Sequence, residues 1–284
     1  MLQRAYGLTF GGLPRVEELE PAATPDHEQG GVIHVRCEPD GAGPSERALD
    51  ATGGVWRLRD GRLLSLDQHR STAVFHGPRL SPDLLAHPYL GPVATAFGRW
   101  LGRESFHAGA FVQEGRAWAV TGPRTAGKST LLAALAARGT TVLTDDVLVA
   151  DGTVVHAGPR CVDLREEPPF AGLDLRRARR GERLRLRLPG APGPVPLGGW
   201  FFLTWGSALQ VEVVPPATAL GALAARRAGA QLPSDPAVVL SVSTVPAWRL
   251  ARPRRFDAVP ATLDRLDATI AATVAAGPQA RVQR

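Results

Sequence analysis

The residues with the most chemical promise in this chain form one run, Gly122-Pro123-Arg124-Thr125-Ala126-Gly127-Lys128-Ser129-Thr130. It fits the pattern Gly-x4-Gly-Lys-[Ser/Thr] and lies between an apolar strand and an Ala- and Leu-rich helix, the context in which that pattern has a mechanism. Glycines let the backbone bend so that several N–H groups converge on phosphate oxygens, and the positive end of the following helix adds its attraction. Lys128 would reach the β- and γ-phosphates as a compact charge, and the Ser129 hydroxyl would stand at a Mg²⁺ position. ATP and Mg²⁺ are the expected cofactors. Lys128 is also the single lysine among 33 basic residues. Coding bias explains so many arginines, yet lysine is kept at the one position where a flexible ammonium is poorly replaced by a planar fork.

The next strand ends in Asp145-Asp146, only 17 residues beyond Lys128. Motor and transporter ATPases place their metal-binding acid much farther along, and no LSGGQ-type signature is present, so the spacing suggests a kinase acting on a hydroxyl. Carboxylates at the carboxyl edge of a parallel sheet face the same crevice as the phosphates. Asp145 is expected to act as the base for the acceptor hydroxyl and Asp146 as the metal partner. Side-chain alternation alone leaves open which is which.

The elements around these residues read as follows. Ala108 to Val112 and Arg116 to Thr121 flank a hairpin turn at Gln113-Glu114-Gly115, Leu131 to Arg138 is a helix ending at Gly139, and Thr141 to Thr144 is the next strand. Strand, glycine loop, helix and strand form a βαβ unit, which predicts an α/β core. Upstream, short strands are predicted at Ala5 to Phe10, Val32 to Arg36, Val55 to Arg59, Arg62 to Leu66 and Thr72 to Phe75, with a helix from Pro92 to Leu101. Residues 21–30 and 38–46 are expected to be loops. Downstream, strands are predicted at Val195 to Leu203 and Gln210 to Val214, and a helix at Thr218 to Arg227. Leu263, Leu266, Ile270 and Val274 give a terminal helix its apolar stripe. The boundary is drawn as a small β-rich N-terminal domain over 1–104 and an α/β P-loop domain over 105–284.

The segment from Phe106 to Val149 resembles the catalytic core of the HPr serine kinase family and its HPr-kinase-related relatives. His107 before the loop strand, Lys128, Ser129, Arg138-Gly139 and Asp145-Asp146 match that family's pattern position by position. The resemblance implies an HPr-kinase-like fold and transfer of the ATP γ-phosphate to a serine hydroxyl, with His107 near the phosphates. After the Asp pair the chain departs from the family: in place of a Glu-Ile-Arg-Gly-Leu-Gly type signature stands Cys161-Val162-Asp163-Leu164-Arg165. Asp163 is carried over as a further metal ligand, and whether phosphorylase activity is retained is left open. The N-terminal part is closer to divergent relatives associated with tailoring of ribosomal peptides, lasso peptides included, so a peptide or protein serine is the expected acceptor. A small-molecule hydroxyl kinase and a nucleotide-dependent switch without transfer activity are the alternatives.

Composition narrows the rest. The chain has 284 residues, 44% hydrophobic and 21% charged, enough to bury a core. No run is apolar enough for a membrane span and Met1 to Glu20 holds no signal-type apolar stretch, so a cytoplasmic protein without a membrane partner is expected. Cys37 and Cys161 lack metal or disulfide spacing and are assigned to the core. The net charge of +6 resides in Arg176 to Arg187, where seven arginines face one acid, Glu182. One such segment is a poor footprint for nucleic acid. Arg183, Arg185 and Arg187 alternate with Leu184, Leu186 and Leu188, read in the first place as a solvated edge strand and in the second as an anion-binding face. His27, His34, His69, His76 and His87 show no ligand spacing and are expected at the surface or in loops. Homo-oligomerisation is left open.

Overall fold

Short alternating segments at the start of the chain pair into a seven-stranded sheet. The structure, a computed structural model, describes residues 1–24, 30–39, 44 and 47–277. His27 and most of the two acidic, glycine-rich segments at 21–30 and 38–46 lie outside these residues. The sheet comprises β1 (Leu2–Ala5), β2 (Leu8–Gly11), β3 (Glu20–Ala22), β4 (Val32–Glu38), β5 (Gly53–Arg57), β6 (Leu63–Asp67) and β7 (Thr72–His76), in the order β3-β1-β2-β4-β7-β6-β5. The strand expected across Ala5 to Phe10 is instead a hairpin. Tyr6 and Gly7 both take left-handed backbone, φ 58° and 67°, which matches the twist of a two-residue turn. Tyrosine is an uncommon residue for that conformation, so the turn has no local sequence signal.

Two short helical runs, α1 (Pro82–Leu84) and Leu85–Tyr89, lead into α2 (Leu90–Trp100). Leu90, Val93, Ala94, Ala96 and Phe97 of α2 enter one core with Phe10, Ile33, Val35, Leu64 and Phe75 of the sheet. That core is completed from far along the chain by Val147, Val149 and Leu232. The N-terminal sheet and the later residues therefore share their burial.

The second half builds a nine-stranded sheet and a three-stranded one. In chain order the elements are β8 (Glu104–Phe106), β9 (Ala108–Gln113), β10 (Arg116–Thr121), α3 (Lys128–Ala137), β11 (Thr141–Thr144), β12 (Leu148–Asp151), β13 (Val154–His156), β14 (Cys161–Leu164), β15 (Leu175–Ala178), β16 (Arg183–Arg187), β17 (Val195–Trp205), β18 (Gln210–Val213), α4 (Pro216–Ala224), α5 (Pro236–Ser243), β19 (Ala247–Arg252) and α6 (Val259–Ala276). The large sheet runs β11-β9-β10-β17-β13-β12-β8, with β19 and β18 added beside the long β17. Pairing of β10, β17 and β19 is parallel, whereas β9 is antiparallel to both β10 and β11. The expected βαβ unit is thus present with a strand inserted: β10 and β11 point the same way, separated by β9. The chain is a mixed α/β protein with several sheets.

Local chemistry explains the turns that matter. Glu114 and Gly115, φ 51° and 66°, make the tight β9–β10 hairpin. Gly109 in β9 has no side chain where a Cβ would meet Leu132 Cδ1 at 2.5 Å and the Thr144 carbonyl oxygen at 3.0 Å, so α3 and the end of β11 can close over it. In the small sheet β16 lies between β14 and β15. This corrects the edge-strand expectation for the arginine segment: Arg187 is exposed, Arg183 half-buried and Arg185 fully buried.

A buried ion pair fastens α2 to the C-terminal half. Glu104 accepts from Arg99 Nη2, from its neighbour Ser105 N at 2.9 Å, from Arg227 Nε at 3.1 Å and from Ser234 Oγ at 2.6 Å. Arg99 also donates to the carbonyls of Leu232, Pro233 and Ala228. Removing one partner of such a pair strands the other charge. Glu104→Ala is expected to lower the unfolding free energy by about 3–5 kcal/mol in urea titration. A loss under about 1 kcal/mol would mean the three carbonyls satisfy Arg99 unaided.

Candidate functional site

The glycine loop leaves β10 at Thr121 and enters α3 at Lys128. Thr125 and Gly127 have φ of 69° and 79°, so the loop reverses through left-handed residues before the helix begins. Gly127 caps α3 without any side chain, leaving the first helical N–H groups free of a side-chain acceptor. A helix start with free N–H groups is a place at which an anion can be bound. Lys128 folds back over it, its Nζ donating to the carbonyl oxygens of Gly122 at 3.2 Å and Pro123 at 3.4 Å.

The loop is braced from the neighbouring strands. Trp205, at the end of β17, donates its Nε1–H to the Thr125 carbonyl at 3.1 Å. Arg252, at the end of β19, donates to the carbonyls of Ala126 and Gly127, both at 3.1 Å, and stacks 4.5 Å from the Trp205 ring centre. A Cβ on Gly127 would come within 2.6 Å of the Arg252 guanidinium. The sequence gives no sign of this brace, since neither residue lies near the loop in the chain.

Parallel β10 and β11 deliver their ends to the same edge, and Asp145-Asp146 meets the loop there. Ser129 Oγ donates to Asp145, 3.1 Å from Oδ1 and 3.0 Å from Oδ2. Asp145 is buried at 5% exposure, and burial foremost, with Asp146 and Asp163 adding repulsion, lifts its carboxyl to about 6 against the pull of His87 and Ser129. Asp146 takes left-handed backbone, φ 68°, and its carboxylate is half-exposed, 48% accessible. Burial works against its ionisation, but the hydrogen bond and charge of His87, then His107 and Lys128, hold it well below the usual range. Lys128 is itself pushed down by burial, partly offset by the two aspartates.

His107 sits half-buried between β8 and β9, its backbone bonded to Arg226 and Thr121. Burial lowers its imidazole below the ordinary value, with Arg59, Lys128 and Arg226 pushing the same way and Asp146 opposing, so it is neutral at neutral pH.

The histidine expected at the surface is the one the structure brings to the centre. His87 places Nδ1 at 3.0 Å from Asp163 Oδ2 and Nε2 at 3.2 Å from Asp146 Oδ2, with its side chain 14% exposed. Carboxylates only accept, so both ring nitrogens donate and the ring is an imidazolium. Burial alone would lower its pKa; the two carboxylates overcome that and lift it to about 10. The backbone permits the reach because the residue before a proline is forced out of helical conformation: His87 has φ −156° and ψ 122° ahead of Pro88. Its partners are 59 and 76 residues away, so no local spacing could have revealed them.

Asp163 is held on every side. Arg185 Nε reaches Oδ1 at 2.7 Å and Nη2 reaches Oδ2 at 3.0 Å, a bidentate pair, while His87 takes Oδ2 and Arg179 stands 3.8 Å off. Both oxygens of the residue expected to ligate metal are thus committed to cations. Arg185 also donates to Glu18 at 3.1 Å, and Glu18 takes Arg176 as well. Tyr6, from the β1–β2 turn, is buried at 1% and its hydroxyl is raised well above its ordinary pKa, first by burial and then by Asp146, Cys161 and Asp145. Two residues of the N-terminal sheet region, Tyr6 and His87, therefore stand among the groups around the aspartate pair.

Among the described residues no group of three or more His, Cys, Asp or Glu side chains is disposed to hold a metal ion by itself. No helix among them is long and apolar enough to cross a membrane. No protein-family model matches the chain, and no curated protein matches it. Among solved structures, the chain is similar to the Hpr(Ser) kinase/phosphatase from Coxiella burnetii, at 13% identity and a TM-score of 0.31, over 60% of this chain and 98% of that one. A likeness of that size carries no argument about activity, which rests on the site alone.

The raised carboxyl of Asp145 has a stability consequence in the metal-free protein. A carboxyl that protonates near 6 when folded and near 3.8 when unfolded favours the fold below about pH 4, and this advantage is lost as pH rises through 6. Asp145→Asn, neutral throughout, is expected to be more stable than wild type at about pH 7.5, by up to about 3 kcal/mol, with the gain vanishing near pH 4. Chemical denaturation at the two pH values checks this. A variant less stable at both would show that burial does not dominate the Asp145 environment.

Proposed function

We propose that the protein is an ATP- and Mg²⁺-dependent kinase that transfers the γ-phosphoryl group to a hydroxyl, with a serine of a peptide or protein as the acceptor. The observation that carries this reading is the contact of Ser129 with Asp145 at the uncapped start of α3, beside Lys128. A hydroxyl at the head of a phosphate-binding helix, bonded to a strand-end aspartate, is the pair that holds Mg²⁺ in P-loop enzymes. A cation that keeps several waters and takes one or two carboxylates plus substrate phosphates needs no larger protein cage.

In this reading the two acids exchange the roles expected of them, a choice that the Ser129 contact supports. Asp145, buried and bonded to Ser129, is the metal-side carboxylate. Asp146, half-exposed toward the crevice, is the group an acceptor hydroxyl can reach, and it takes that hydroxyl's proton as the new P–O bond forms and ADP departs. Bound Mg²⁺ supplies neutralisation of the phosphate charge. Lys128 leaves the loop carbonyls of Gly122 and Pro123 to meet phosphate oxygens, and the loop N–H groups orient the chain of phosphates. Neutral His107 would donate a hydrogen bond near them in this reading. Asp163, saturated by Arg185 and His87, belongs to the support of Asp146 rather than to the metal.

Incubation with Mg-ATP and short serine peptides, read by mass spectrometry, tests the reading directly; a peptide gaining one phosphate is the expected result. Mg-ATP should raise the melting temperature of wild type and leave Lys128→Ala unmoved. Asp146→Asn should keep nucleotide binding and lose transfer by about 100-fold or more. Asp145→Asn should raise the Mg²⁺ concentration needed for half-maximal rate. ATP hydrolysis without transfer to any acceptor would favour a nucleotide-dependent switch, and transfer to small hydroxyl compounds alone would favour a small-molecule kinase.

A further inference from the structure

The kinase reading employs Lys128, Ser129, Asp145 and Asp146, yet His87 touches more of the surrounding carboxylates than any of them. We infer that His87 is a positioning residue for Asp146, so that the N-terminal sheet region supplies part of the transfer site; this rests on the reading above. The geometry is a chain of fixed groups. Glu18 and Asp163 both hold Arg185, Asp163 and the carbonyl of His87 are tied to the same guanidinium, and the far side of the His87 ring holds Asp146. Arg185 and Asp163 are almost wholly buried, 1% and 2% exposed, which leaves them a single arrangement.

Asp146 needs such a holder. Its left-handed backbone and half-exposed carboxylate leave the side chain otherwise unsupported, and the other fixed cation within its electrostatic reach is Lys128. Released from His87, the carboxylate is drawn to Lys128. That contact would occupy the ammonium needed by the phosphates and turn the carboxylate away from the acceptor. His87 therefore does two things: it aims Asp146 and it keeps Asp146 off Lys128. It touches neither nucleotide nor acceptor, so its effect is on geometry during transfer and not on binding of ATP.

The experiment uses the full chain with His87→Phe, which removes both ring donors, and His87→Gln, whose amide restores donors to the carboxylates. Wild type with ¹⁵N-labelled histidine should show both His87 ring N–H protons hydrogen-bonded, one of them lost in Asp146→Ala, which has no acceptor at that position. His87→Phe should lower kcat by about 10- to 100-fold while the dissociation constant for Mg-ATP moves less than about 3-fold, and His87→Gln should recover part of the rate. Wild-type kcat in a folded His87→Phe, or parallel loss of ATP affinity and rate, overturns the inference. Should His87→Phe fail to fold, His87→Gln and the ring protons decide: a single bonded ring N–H in wild type overturns it. If wild type transfers phosphate to no acceptor, the kinase reading fails on its own, and the ring protons still judge the clamp.

Discussion

The pairing of Asp163 with Arg185 is the interaction on which the rest of the molecule hangs. Neither charge could be buried alone, since desolvating an unpaired ion costs several kcal/mol or more. Together they form a bidentate contact inside the small sheet, and each has capacity left over: Arg185 for Glu18 and the His87 carbonyl, Asp163 for the His87 ring. Four segments distant in sequence meet at this pair. The +6 net charge that pointed to one arginine-rich strand lies partly in the interior, where Arg185 offsets Asp163 of β14 and Glu18. Three aspartates in one place would repel each other; the buried guanidinium and the imidazolium make their neighbourhood tolerable.

A second constraint acts on the glycine loop. Its backbone bends through Thr125 and Gly127, conformations that cost free energy for a non-glycine residue. The loop carbonyls of Thr125, Ala126 and Gly127 are taken by Trp205 and Arg252. These donors fix the loop backbone, so its N–H groups keep one arrangement. The long β17, which pairs with β10, β13 and β19, carries Trp205 to that position. Preorganisation of this kind lowers the ordering required when a charged ligand arrives.

What the sequence made legible follows from how far apart the determinants lie. The glycine loop, the Glu114-Gly115 hairpin, the β11 strand and the Asp pair at its end are each set by a few consecutive residues, and all stand where the spacing placed them. Strand β16 was foreseen as a strand by its Arg/Leu alternation, but alternation cannot say which face is covered. Its place between β14 and β15 is decided by pairing, on the β14 side between residues as far apart as Cys161 and Arg187. His87 was the hardest to read. A lone histidine in a proline-containing segment looks like a surface residue until the fold supplies two carboxylates. Tyr6 was hidden for the opposite reason: a large aromatic in a turn position normally argues for a strand. Strands β3, β8, β12 to β15 and β19, together with α1 and α5, were not foreseen, because short segments lack a period long enough to register; β3 takes in Pro21 and Ala22, where the sequence predicts the start of a loop.

The shared core between the N-terminal sheet and later residues bears on how the chain is made. Val147, Val149 and Leu232 complete the burial of α2 and the first sheet, and the carbonyls that receive Arg99 lie at residues 228, 232 and 233. On the ribosome, the first hundred residues emerge with their apolar face and the Arg99–Glu104 pair open on one side. Their partners follow about half-way along the chain, at Val147 and Val149, and later still at residues 228–233. The first sheet thus reaches its full burial only when residues as far along as Leu232 are in place, and its folding is coupled to that of the later half.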